Sequence, residues 1–121
     1  MKAYTDLNQS KKLTEILPLE SADHFHIIGH LHTDGPKYEV IRSRNEVVET
    51  DKYWPCWSLA ALIDTLPCNL KLVLAINDYQ GDRKEKYVIG SVEHDKYDCF
   101  ADNPVDACYE MILKLHELKM L

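Results

Sequence analysis

The chain has 121 residues, enough for one domain with a proper core, and its 45% apolar and 28% charged residues exclude disordered and fibrous classes. Fourteen basic against 20 acidic residues give a net charge of −6, with the basic residues dispersed, which argues against a phosphate-gripping nucleic-acid binder. No run of 18 apolar residues exists, and the polar stretch from Met1 to Lys12 lacks the apolar core of a secretory signal, so a cytoplasmic protein is expected.

The first predicted helix spans Thr5 to Leu17, with Thr5 or Asp6 as its cap, Leu13, Ile16 and Leu17 on one face, and Pro18 as its stop. Asp23 to Thr33 follows with a period of two. Phe25, Ile27, Gly29 and Leu31 lie on one side, and His24, His26, Ile28, His30 and His32 on the other. Asp34-Gly35-Pro36 signals a turn, and a second strand from Lys37 to Ser43 pairs back as a hairpin. Arg44 to Lys52 is polar and turn-like.

Tyr53-Trp54-Pro55-Cys56-Trp57-Ser58 introduces a helix from about Trp57 to Leu66, with Leu59, Leu62, Ile63 and Leu66 at helical spacing and Pro67 beyond it. Leu70 to Asn77 reads as a buried strand, with Leu70, Leu72, Leu74 and Ile76 on one side and Val73 and Ala75 keeping the other partly apolar. A charged turn around Gly81 leads to strands at Lys86 to Glu93 and Lys96 to Phe100, joined at His94-Asp95. The last helix is capped by Asn103 with Pro104 at its first position. Its stripe is Val105, Cys108, Ile112 and Leu115, widened by Met111 and Leu118, and Asp106, Glu110, Lys114 and Glu117 face water. The whole is a single α+β domain over residues 1–121. Its order is α-β-β-α-β-β-β-α, with an antiparallel sheet of about four to five strands and three helices. Leu59, Leu62, Ile63, Leu72, Leu74, Cys108, Ile112 and Leu115 are the expected core.

Three segments carry a resemblance. They are Ser10 to Asp23, Pro55 to Leu62, and Ala101 to Ile112 continuing through His116-Glu117. Together they resemble small uncharacterised proteins of gut-anaerobe genomes, often encoded in prophage-like or mobile regions. The resemblance implies a bacterial cytoplasmic protein and brings no activity, cofactor or active-site residue with it.

Two constellations merit a chemical reading. Along a strand, residues two apart share a side at about 6.5–7 Å, so His24 with His26, or His30 with His32, places two imidazoles where a metal ion would need them. Asp23, Asp34 or Glu39 are the carboxylates at hand for a third ligand. The plainer reading, which we adopt, is a metal-free surface or dimer contact, with the apolar side of the strand under the helices. Cys56, placed ahead of a helix, is a weak candidate nucleophile with histidine as base. Tyr53, Trp54 and Trp57 form a cluster that either lines a ligand or interface pocket or plugs the core. Cys56, Cys68, Cys99 and Cys108 include no C-x-x-C pair and are expected as free thiols. No cofactor motif is present, and no carboxylate pair is spaced for acid/base work. The favoured function is a non-catalytic interaction or accessory protein of a mobile element, with a protein partner or a second copy and no nucleic acid or membrane. The alternatives are a metal- or ligand-binding enzyme built on the histidine strand, and an acidic DNA mimic.

Overall fold

A computed structural model describes residues 2–30, 37–44, 53–77, 84–93 and 97–121, with residues 28–30 and 37–39 described by their backbone. The expected turns at Asp34-Gly35-Pro36, around Gly81 and at His94-Asp95 lie outside these residues, as do Leu31 and His32. So does the expected turn after Arg44, except for Arg44 itself.

Helix α1 (Leu7–Thr14) begins where the sequence offers two complementary polar side chains. The Asp6 carboxylate accepts the Gln9 N–H at 2.8 Å, and the Gln9 side-chain oxygen accepts the Asp6 N–H at 3.0 Å, a reciprocal capping box. The regular helix ends earlier than its apolar stripe suggests. Leu17 is nonetheless held beside it, its N–H donating to the Leu13 carbonyl.

Strands β1 (His24–His30) and β2 (Lys37–Ser43) form the expected hairpin, with His24 opposite Ser43 and His30 opposite Lys37. The sequence reading of the next segment needs correction. Tyr53 to Cys56 is a strand, β3 (Tyr53–Cys56), pairing antiparallel with the other side of β1. Aromatic residues favour extended backbone, and Pro55 is tolerated because β3 is an edge of its sheet. Helix α2 (Leu59–Thr65) therefore starts two residues later than expected, with the Ser58 hydroxyl accepting the Ala61 N–H.

Strands β4 (Leu72–Ile76), β5 (Tyr87–Ser91) and β6 (Cys99–Ala101) make a second antiparallel sheet in that order. The described strands thus form two three-stranded sheets, β2-β1-β3 and β4-β5-β6, and not one sheet of four to five. The α+β class, the antiparallel pairing and the three helices agree with the sequence reading; the strand count and order do not.

Helix α3 (Pro104–Glu117) follows its sequence signals closely, with the Asn103 side chain accepting the Asp106 N–H at 2.9 Å and Pro104 in the first turn. Val105, Cys108, Met111, Ile112 and Leu115 are fully buried against Ile89 of β5 and Ala101 of β6, with Leu62 of α2, Trp57 and Leu13 of α1 closing the same core. The helix ends with Lys119 in the left-handed region, φ 58°, and the Met120 N–H donating back to the Leu115 carbonyl. Four core expectations need revision: Ile63 is 47% exposed, and Leu59, Leu72 and Leu74 are only half-buried.

Candidate interaction surface

β1 lies between β2 and β3, so both of its faces are candidates for cover. Directly opposed residues share a face, which places His24 and His26 with Cys56 and Trp54, and Phe25 and Ile27 with Pro55 and Tyr53. The helix lies on the histidine side. Lys11 of α1 sits with its Nζ 5.2 Å from the Trp54 ring centroid, and the Tyr4 ring lies 4.6 Å from that of His24. His26 is 3% exposed, its Nε2 2.8 Å from the Thr5 carbonyl oxygen. A carbonyl only accepts, so Nε2 carries the proton and donates it. The expected outward histidine face is therefore reversed. The reason is that Thr5, Ser10 and the Trp57 backbone build a buried polar layer there. Thr5 and Ser10 share a hydroxyl hydrogen bond at 2.8 Å, and the Thr5 hydroxyl accepts the Trp57 N–H at 3.1 Å. Phe25 and Ile27 are buried too, Phe25 beneath the Arg44 guanidinium and edge-on to Tyr53.

His24 stands 3.1 Å from an Asp23 carboxylate oxygen. That carboxylate is committed to the start of α2, accepting the Ser58 N–H at 2.9 Å and the Ser58 hydroxyl. Burial pushes the Asp23 carboxyl up, but the Ser58 and His24 hydrogen bonds outweigh it and hold it below the usual carboxylate range. Ser58 and His24 thus meet on one acceptor; the arrangement anchors a helix cap and gives no relay from base to nucleophile. His32 and the His30 side chain fall outside the described part. Among the described residues, no group of three His, Cys, Asp or Glu side chains is placed to hold a metal ion.

All four thiols are free, with Cys56 and Cys108 buried, Cys99 half-buried and Cys68 exposed. Cys56 is fully buried within β3 and does not head a helix. Burial pushes the Cys99 thiol up and the Cys108 thiol up to about 11, so neither is a thiolate near neutral pH. Cys99 borders a cleft of about 430 Å³ with Asp102, Asp106 and Glu110. Asp106 was expected to face water. It instead binds Lys2 and Gln9, each at 2.8 Å, and so ties the first residues to α3.

The aromatic cluster divides. Trp57 is fully buried with its indole N–H donating to the Ser21 hydroxyl at 2.9 Å, whereas Tyr53 (44% exposed) and Trp54 (38%) sit on opposite faces of β3. They are not one pocket.

The most conspicuous exposed apolar surface lies on the second sheet. Its inner face packs on α3. Its outer face carries Val73 and Ala75 of β4 with Val88 and Phe100, and Asp98 lies over Gly90 in the space a Cβ would fill. β4 is Leu-Val-Leu-Ala-Ile, apolar on both faces, the pattern of a strand covered on both sides. It sits instead at the edge of the sheet, and none of its residues is buried: Val73 is 49% and Ile76 65% exposed. The position of β4 corrects the sequence reading of a buried strand. The flanking Lys71 is neutralised by Glu93 at 2.8 Å, so no unpaired charge stands directly before the strand.

Fold and surface together define an α+β chain with two small antiparallel sheets and an apolar edge strand that has no cover among the described residues. Comparison with known proteins returns no matching family model, no similar curated protein and no similar solved structure. No helix among the described residues is long and apolar enough to cross a membrane.

Proposed function

We propose that the chain is a non-catalytic interaction protein of the bacterial cytoplasm, an accessory of a mobile element, which docks a partner polypeptide along β4. The observation that carries this reading is the conflict between what β4 is made of and where it lies. Natural sheets protect their edges with charge, proline, bulges or cover. β4 has none of the first two, and among the described residues no cover either. An extended partner segment added there would gain ladder hydrogen bonds and cover the exposed side chains. The burial of His26 and of Cys56, the candidate nucleophile, supports the same reading, since neither side chain is open to a substrate.

The test is a photo-crosslinking residue at Val73 in cells that naturally express the chain, with Lys12 on the exposed side of α1 as control. A discrete adduct from position 73 and none from position 12 is expected. Equal or absent adducts would overturn the reading.

A further inference from the structure

We infer that the polypeptide received by β4 is a second copy of this chain, joined by antiparallel pairing of β4 with β4 across a two-fold axis at Leu74. The inference rests on the reading of β4 as a docking edge and names its occupant.

The hydrogen bonds at the two ends of the β4–β5 ladder fix which groups are spare. The Asn77 N–H donates to the Lys86 carbonyl at 2.7 Å, and the Val92 N–H donates to the Lys71 carbonyl at 3.3 Å. In an antiparallel ladder the bonded residues alternate, so Lys71, Val73, Ala75 and Asn77 turn their backbone groups to β5. Leu72, Leu74 and Ile76 then turn theirs away from the sheet, and among the described residues nothing pairs with them.

A two-fold axis at Leu74 matches this set to itself. Leu74 exchanges both hydrogen bonds with Leu74 of the second copy, and Leu72 does so with Ile76 in each direction. Every outward N–H and C=O of the strand is satisfied. The side chains agree with the register. Ile76, 65% exposed, gains Leu72 as its cross-strand neighbour, and the exposed Val73 gains the small Ala75. Lys71 comes opposite Asn77, so no like charges meet, although each copy carries −6. The contact therefore joins two acidic molecules through a neutral strip, and the two outer apolar faces merge into one. The product is a continuous sheet from β6 of one copy to β6 of the other. Such a short pairing buries less than a standard interface, so a weak, concentration-dependent association is expected.

The experiment combines sedimentation with amide hydrogen exchange on the full chain. Twice the chain mass is expected on raising the concentration towards millimolar, with tighter association at higher salt because net repulsion is screened. The Leu72, Leu74 and Ile76 amides gain protection in step with dimer formation. Ile76→Lys, at a site already open to solvent, weakens the dimer by about tenfold or more and removes that protection. Ile63→Lys, also exposed but on α2, leaves both unchanged. A dimer in which these three amides still exchange freely overturns the inference, as does a monomer throughout. In either case an adduct from position 73 with a chain of different mass would leave the docking reading intact, and no adduct would end both.

Discussion

The buried position of His26 makes a quantitative claim. If the imidazole were on an outer face, His26→Ala would change stability by no more than a few tenths of a kcal/mol. In the structure the ring is 3% exposed and donates to the Thr5 carbonyl. Truncation removes a buried ring, costing about 2–3 kcal/mol by analogy with aromatic-to-alanine changes. It also strands a buried carbonyl, costing about 1–3 kcal/mol. The total is about 3–6 kcal/mol, and for a domain of this size a melting point lower by roughly 10–25 °C. His26→Phe restores most of the volume but not the donor, so it isolates the second cost at about 1–3 kcal/mol. Urea unfolding of the three proteins at pH 7 measures this directly. A loss below about 0.5 kcal/mol for His26→Ala would show that the N-terminal segment does not cover this face.

Ile112→Ala and Leu62→Ala, both at fully buried sites, should each cost about 2–5 kcal/mol, whereas Ile63→Ala should cost under about 1 kcal/mol by the same unfolding assay. Lys119→Gly should stabilise the protein by about 0.5–1 kcal/mol, because only glycine adopts φ 58° without strain; a lower melting point would refute the left-handed helix end. Burial raises the carboxyl groups of Asp6 and Asp106, but hydrogen bonds from Lys2 and from Gln9 outweigh it and hold both below their ordinary values. Depressed carboxylates contribute stability that is present above the unfolded value of about 4 and is lost as pH falls through the folded one. Chemical unfolding below pH 4 should show that loss, and Asp106→Asn should both weaken the protein at pH 7 and flatten its acid limb.

The parts of the fold visible in the sequence are those decided locally. Asn103, Pro104 and the stripe from Val105 to Leu115 lie within a few turns of one another, and α3 follows them to the residue. The β1–β2 hairpin obeys the same logic through its alternation. Tyr53 to Cys56 reads as a helix lead-in because of its proline and its closeness to Ser58, while its strand character depends on β1 beside it. Alternation ranks the two sides of a strand by polarity, and so it puts His26 outside where the structure buries it. It contains no information about a threonine carbonyl far away in sequence that satisfies an imidazole. The candidate interaction surface shows the same boundary. Leu72 to Ile76 announced a strand, but whether an apolar strand is interior or edge is set by strand order, which its own residues do not encode.

The contacts of the first residues have a kinetic consequence. The Lys2–Asp106 hydrogen bond spans a sequence separation of 104, and Thr5 reaches across 52 to Trp57. Closing a loop of about 100 residues costs on the order of 4 kcal/mol of chain entropy before any contact rewards it. The hairpin and the α3–β5–β6 unit close much shorter loops, so they should form first, with the N-terminal segment fastened onto them afterwards. Changes at Thr5 or Lys2 should then quicken unfolding while leaving the folding rate nearly untouched. The amino-terminal segment acts as a late clasp, and the lifetime of the folded chain depends on it more than its speed of formation does.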